Sequence, residues 1–434
     1  MARMSAHRLA LLAACVAACS SSPAASTSEA MSTEAASSGA EATSSTGAAP
    51  TSEPTSTGEV TGTGTGTGDG STTGTSASAT TSVSTGSGDD SGSTGEPAVL
   101  YPEPDWQPGD PGEHGVDPGG LAAMAKLAEA SDSNCLVVTQ GGALIGEWYW
   151  NGFDADKDQD NVFSVTKSIT SALVGIAADE GLLAVEAPAA YSEWSGGDSE
   201  GVTIRNLISN DSGRAWSFNS DYVVMGVTPD QTQYAIDLGQ DHPPGAWWEY
   251  NNAAIQTLER ALSTATGGPV GDYAQSRLFS KIHMSASMGK DGEGNTLTYQ
   301  GVSASCRDLA RLGYLYLRGG TWAGGEQVVP AAWVAETITP STPLNSAYGF
   351  MWWLNRPGHW ILPSVPLRSE ADGKLIPAAP DEVFAAIGAF GQFVVVDPTT
   401  DSVWVRLGPI DLADASGFGK LPALWDAFAA AQAP

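Results

Sequence analysis

The chain has 434 residues, 49 Asp+Glu against 19 Lys+Arg, a formal charge of −30, and only 16% charged residues beside 41% hydrophobic ones. That balance excludes nucleic-acid binding as the default role, because phosphate contacts need clustered Lys and Arg, and it disfavours anionic lipid surfaces for the same reason. Every Trp, Tyr and Phe lies at or beyond Tyr101 and no Lys or Arg stands between Arg8 and Lys126, so the first hundred residues cannot build a packed core.

Arg3 and Arg8 form a short basic region, and Leu9 to Val16 an apolar stretch too short for a permanent membrane span. Val16-Ala17-Ala18-Cys19 follows and resembles a bacterial lipobox, which implies cleavage of a signal peptide over residues 1–18 and a lipid on Cys19. Leu12-Ala13-Ala14-Cys15 is a second match that would leave a shorter apolar stretch. Ser20, with no aspartate after the cysteine, resembles the outer-membrane sorting pattern. The expectation is an exported protein that meets the membrane through a lipid anchor at Cys19, with the outer membrane as its address.

Residues 20–97 hold 62 Ser, Thr, Gly or Ala among 78 positions. Such a segment has almost nothing to bury, so residues 19–97 read as a disordered tether with a reach of about 50 Å. Setting aside Arg3, Arg8 and the nine acids of residues 20–97 leaves a net charge of −23 on residues 98–434, the expected folded domain. Of the four cysteines, Cys135 and Cys306 fall in that domain, as either one disulfide or two separate buried thiols.

After a Pro/Gly-rich lead-in, Leu121–Ala130 reads as a short helix. Cys135–Thr139 and Ala143–Trp150 read as a hairpin turning at Gln140-Gly141-Gly142. From Ser164 to about Leu183 the apolar positions Ile169, Leu173, Ile176 and Ala177 recur at helical spacing. Helical segments follow over 204–208, 253–264, 270–279 and 307–317. Strand patterns return at 349–354, 383–387, 392–396 and 402–407, and a last helix at 421–431. The pattern predicts an α+β fold: one antiparallel sheet built from both ends of the domain, flanked by helices, with a mainly helical subdomain inserted between.

Phe163-Ser164-Val165-Thr166-Lys167 carries the first constellation. Serine and lysine three apart at a helix start share a face, so the amine can reach the hydroxyl. Burial there can keep the lysine neutral and able to act as a base. A chain of this length yields on the order of one Ser-x-x-Lys by chance. Ser287-Met288-Gly289-Lys290 is that match, and its glycines make it a loop. The second constellation is Tyr250-Asn251-Asn252, on a turn before a helix. Tyr250 can shuttle a proton, and Asn252 can bond the lysine or a substrate amide, or simply cap the helix. Tyr149-Trp150-Asn151 has the same form but sits at a strand end, where a packed tyrosine is the ordinary reading.

Order and context of these motifs resemble the serine β-lactamase-related family, in particular class C-like esterases and 6-aminohexanoate-dimer hydrolases. Val202–Ser209 followed by Ser212-Gly213, Gly301–Ser305 with Arg307–Arg311, and Tyr348-Gly349-Phe350 with Trp352-Trp353 extend the likeness over most of residues 115–430. The resemblance implies a β-lactamase/transpeptidase-like fold, Ser164 as acylated nucleophile, Lys167 as base, Tyr250 as proton shuttle, and a small-molecule ester or amide substrate with no cofactor. Penicillin-recognising relatives carry Lys-Thr-Gly or His-Thr-Gly on the strand beside the serine. Here that place reads Ile387-Gly388-Ala389-Phe390-Gly391-Gln392, similar to the nylon-oligomer branch. Loss of the cation removes a partner for a β-lactam carboxylate. Gly388, Gly391 and Gln392 are then expected on the substrate-facing strand, with the N–H of Ala389 pairing with that of Ser164 as an oxyanion hole; a plain bend at the two glycines is the alternative.

Gly197-Asp198-Ser199-Glu200-Gly201 matches a nucleophile-elbow motif, but no buried strand precedes it, so Ser199 reads as a turn. No His or Cys pair has metal-ligand spacing. A non-catalytic binding or sensor module on a stalk is the other reading of the same fold.

Overall fold

The computed structural model describes residues 99–432; the expected signal peptide, Cys19 and the tether lie outside them. Helix α1 (Pro118–Ala130) starts three residues before the predicted one, because Asp117 caps it by accepting from the Gly119 and Gly120 amides while Pro118 takes the first helical position. Strands β1 (Cys135–Gln140) and β2 (Ala143–Tyr149) form the predicted hairpin. Helix α2 (Val165–Asp179) follows, and after a long helical insertion come α3 (Cys306–Leu317), β3 (Trp353–Leu354), β4 (Phe384–Gly388), β5 (Gln392–Asp397), β6 (Ser402–Leu407) and α4 (Leu421–Gln432).

The six strands form one antiparallel sheet in the order β2-β1-β6-β5-β4-β3. Both termini of the domain thus meet at its centre, where Val137 pairs with Val405 and Val394 pairs with Val405 from the other side. Alternation along each strand makes two cores. Val137, Val394, Val396, Val403 and Val405 face the layer containing α2 and α3, while Leu136, Val138, Phe393, Val395 and Trp404 face α1 and α4. A disulfide joins Cys135 on β1 to Cys306 at the head of α3, which selects one of the two states the sequence left open. Among the described residues no helix is long and apolar enough to cross a membrane.

Three local readings differ. The strand expected over 349–354 shrinks to two residues, since Met351 takes φ +61° and Gly349 packs against the Thr337 carbonyl. The helix expected over 253–264 divides at Thr257. Ser287–Met288 is a short strand rather than loop, and an unforeseen hairpin pairs Gly358–Leu362 with Ser369–Gly373.

Candidate active site

Ser164 stands at the N-cap of α2, where serine ordinarily bonds the amides of the first turn. Its hydroxyl makes no such bond. Helix α2 is instead buried almost throughout, from Val165 to Ala177, and carries Lys167 into the interior with 1% of its surface exposed. Lys167 Nζ lies 2.9 Å from Ser164 Oγ, 2.7 Å from Asn252 Oδ1 and 2.8 Å from the Tyr299 carbonyl oxygen.

Those three partners dictate where a proton can go. A neutral amine has two N–H bonds and one lone pair. The amide and peptide oxygens can only accept, so together they take both N–H bonds. The lone pair is left facing the serine hydroxyl, the geometry of a general base. Burial is what makes the neutral form accessible: it pulls the ammonium down to about 7, against the opposing charge of Asp221.

Tyr250 is buried behind the serine, its ring 4.7 Å from Lys167 Nζ and its hydroxyl against the Ser164 side chain. Burial pushes its phenol well above the ordinary range, so it stays protonated and can relay a proton only in concert with its neighbours. Asn251, not Asn252, caps the following helix by accepting from the Ala254 amide. Asn252 is therefore free for the lysine. The structure brings Ser164, Lys167, Tyr250 and Asn252 together; helical spacing alone implied only the Ser164–Lys167 contact.

The strand end is more mixed. Ala389 lines the same cavity as Ser164 and follows β4 on a short helical turn, Ala389–Gly391. Gly388 is required by space, because a Cβ there would overlap the Val162 carbonyl oxygen. Gly391 takes φ +81° and forms the bend. Gln392 does not face the cavity. Its amide clasps Gly408, donating to the carbonyl at 2.9 Å and accepting from the N–H at 3.0 Å, so it ties β5 to the end of β6.

Several participants carried no sequence signal. Arg406, fully buried on β6, spends all five N–H bonds: on Ser133 Oγ and on the carbonyls of Phe390, Gly391, Ser131 and Asp132. It thereby anchors the turn that carries Ala389. Phe218, Tyr222, Tyr299, Val365 and Phe390 make the cavity wall largely aromatic, and no Lys or Arg is among its lining residues. Val365 belongs to the unforeseen hairpin's tip, which is latched to Glu249 by Ser364 Oγ at 2.9 Å and Arg368 at 3.3 Å. Asp221 also reaches the cavity, from the π-helical turn Ser220–Val224. Of the sequence rivals, Ser199 is buried against Arg214 and Gln240 and heads no helix, and Tyr149 bonds Glu147 on its own strand. Trp248, Trp352 and Trp353 are core residues, and Trp247, partly exposed, stacks on His242 and Arg368.

A serine at the head of a buried helix, a buried lysine one turn on, and the end of an inner strand closing the cavity define a serine hydrolase with a β-lactamase-type α+β fold. The beta-lactamase family model matches residues 135–408, and the chain belongs to that family. Among its relatives, the 6-aminohexanoate-dimer hydrolase of Paenarthrobacter ureafaciens is 26% identical over 324 residues, covering 66% of this chain and 75% of that protein. Solved structures with the same fold include a penicillin-binding protein homolog from Caulobacter crescentus (TM-score 0.54, 15% identity, 72% of this chain and 98% of that one). A family VIII carboxylesterase is similar to the same degree (TM-score 0.54, 14% identity, 73% and 98%).

Proposed function

We propose that this protein is an exported, lipid-tethered hydrolase that cleaves neutral esters or linear amides through an acyl-enzyme on Ser164. The observation that carries the reading is the set of partners around Lys167, which leaves its lone pair on the serine hydroxyl. In the reaction Ser164 Oγ attacks the carbonyl carbon while Lys167 takes its proton. The amides of Ser164 and Ala389 receive the oxyanion, and Tyr250 passes the proton to the leaving alcohol or amine. Water, deprotonated by the same lysine, then frees the acid and restores the serine. An aromatic cavity with no lining cation favours uncharged acyl groups over a β-lactam with its carboxylate.

A fluorophosphonate probe should label wild type and leave Ser164→Ala unlabelled at unchanged thermal stability. Turnover of p-nitrophenyl esters, 6-aminohexanoate oligomers and nitrocefin, compared side by side, should rank nitrocefin last. A folded wild type that takes no label would instead make the domain a non-catalytic binding module. The envelope address rests on Val16-Ala17-Ala18-Cys19 and is supported by the disulfide, which suits an oxidising compartment. Radiolabelled palmitate should enter the membrane fraction with wild type and not with Cys19→Ser.

A further inference from the structure

We infer that Asp221 is a positioning residue: it holds the Asn252 side-chain amide with its oxygen toward Lys167, and so keeps the lysine lone pair on Ser164. The inference rests on the reading of Lys167 as base. Asp221 and Asn252 are 31 residues apart in sequence, and no motif links them.

Burial raises Asp221 to about 6, so above that pH it is an ionised carboxylate that can only accept, and everything that meets it head-on is an N–H. Ala253 N donates to Oδ1 at 2.8 Å; Asn252 N and Nδ2 donate to Oδ2 at 3.2 and 2.8 Å. With Nδ2 committed to the carboxylate, Oδ1 must point the other way, and there it meets Lys167 at 2.7 Å. The reversed amide would set oxygen against oxygen at Asp221 and aim an N–H at the lysine. A neutral lysine would then accept that N–H with the lone pair it needs for the serine proton. Tyr222, whose hydroxyl also touches Asn252, both donates and accepts and so tolerates either orientation. Asp221 alone imposes the direction.

Asp221 also acts by charge. Lys167, Glu249, the phenols of Tyr222, Tyr234 and Tyr250, and the indole of Trp216 surround it, and Lys167 is the one cation in that set. The carboxylate therefore favours the protonated lysine, and its removal should let the lysine lose its proton at lower pH.

The test is the rate of Ser164 labelling by a fluorophosphonate as a function of pH in the full-length protein. In D221N, which changes no shape, the side chain at 221 can present an N–H as well as an oxygen to Asn252, so the direction of the Asn252 amide is no longer imposed. The plateau rate should fall about tenfold or more, short of the roughly 10²–10⁴-fold that a general base contributes outright, and the midpoint should move to lower pH. In D221N/N252D an oxygen again faces the lysine, and the other carboxylate oxygen accepts from the new amide at position 221. The plateau should recover at least half of the loss on a logarithmic scale, with a midpoint about one unit or more above that of D221N, because the charge now adjoins the lysine. A purely structural brace would give no recovery and no opposite shift. If D221N does not fold, D221S, which also lacks an acceptor-only group, is used with the same expected loss. An unchanged plateau in D221N or D221S, or a double variant no faster than D221N, overturns the inference. If Lys167→Ala labels as fast as wild type, it is instead the reading of the lysine as base that fails.

Discussion

Phe163 and Phe390 meet edge to face with ring centroids 5.0 Å apart, and both hold a left-handed backbone, at φ +47° and +65°. One immediately precedes Ser164; the other immediately follows Ala389. The two strained residues thus lock together the pieces of backbone that would bind an oxyanion. A non-glycine residue in this region costs on the order of 1–2 kcal/mol. At position 390, glycine should therefore be more stable than alanine, reversing the usual order. We expect Phe390→Gly to melt several degrees above Phe390→Ala, with both variants losing kcat/KM on esters through the missing ring contact. Equal melting temperatures would show that the left-handed turn bears no strain.

Gly388→Ala inserts a methyl into the Val162 carbonyl, which is backbone and cannot swing aside. Overpacking of this kind costs about 1–3 kcal/mol. The displacement separates β4 from the residues just before Ser164, so acylation should fall further than the melting temperature implies. Calorimetry paired with p-nitrophenyl ester kinetics measures both, and wild-type kcat with a lowered melting temperature would show that the strand does not position Ala389.

The pH profile is set by Lys167 and Tyr250 over its plateau, while Asp221, raised by burial to about 6, stays ionised there and takes up its proton only on the acid limb. Lys167 is the base only when neutral, and burial places its loss of a proton at about 7. The acylation rate should therefore fall as pH drops through about 7 and level off above it. Tyr250, pushed upward by burial, remains protonated over the plateau and gives no alkaline loss below pH 10. Stopped-flow labelling from pH 5 to 10 reads the curve; a midpoint near that of an ordinary lysine would mean that Lys167 reacts from a solvated state.

Arg406→Met removes five hydrogen bonds at once and strands the buried carbonyls of Phe390 and Gly391, while those of Ser131 and Asp132 lie nearer the surface. The expected cost is roughly 3–5 kcal/mol. Arg406→Lys should recover little, because an ammonium has three donors and no planar fork. Urea denaturation of the two variants gives the comparison.

What could be read in advance was whatever repeats with a fixed local spacing. The Ser164–Lys167 turn, Tyr250 and Asn252 at their helix start, and the alternating strands β4 to β6 all follow from short-range pattern. The missing participants act across the fold. Tyr299 supplies a peptide carbonyl, which any residue would provide, so its identity carries no signal. Asp221 and Arg406 look like ordinary charges until the chain brings Asn252 and the Phe390 turn against them. Gln392 sat in a motif and still turned away, because the strand end at Gly408 offered both a donor and an acceptor for its amide. The aromatic run at 348–353 has strand composition, yet the left-handed Met351 interrupts it.

Loss of the Cys135–Cys306 bond should destabilise the fold. Its sequence separation of 171 residues corresponds to roughly 5 kcal/mol in the loop-closure account, and both cysteines are fully buried. Cys135→Ser/Cys306→Ser should unfold at lower denaturant, and reductant should lower the wild-type midpoint only under conditions that open the fold. An unchanged midpoint would mean that the strand-to-helix packing holds without the bond.

That bond also makes a ring of the chain. Ser164, Lys167, Asp221, Tyr250 and Asn252 lie on the closed part, and Ala389 and Arg406 on the open arm. A protease that cuts an exposed loop of the ring, such as the one around Asp198, leaves both new ends attached to a single molecule. Such a cut would release no fragment, and the severed enzyme would keep every group of its site on one covalent body.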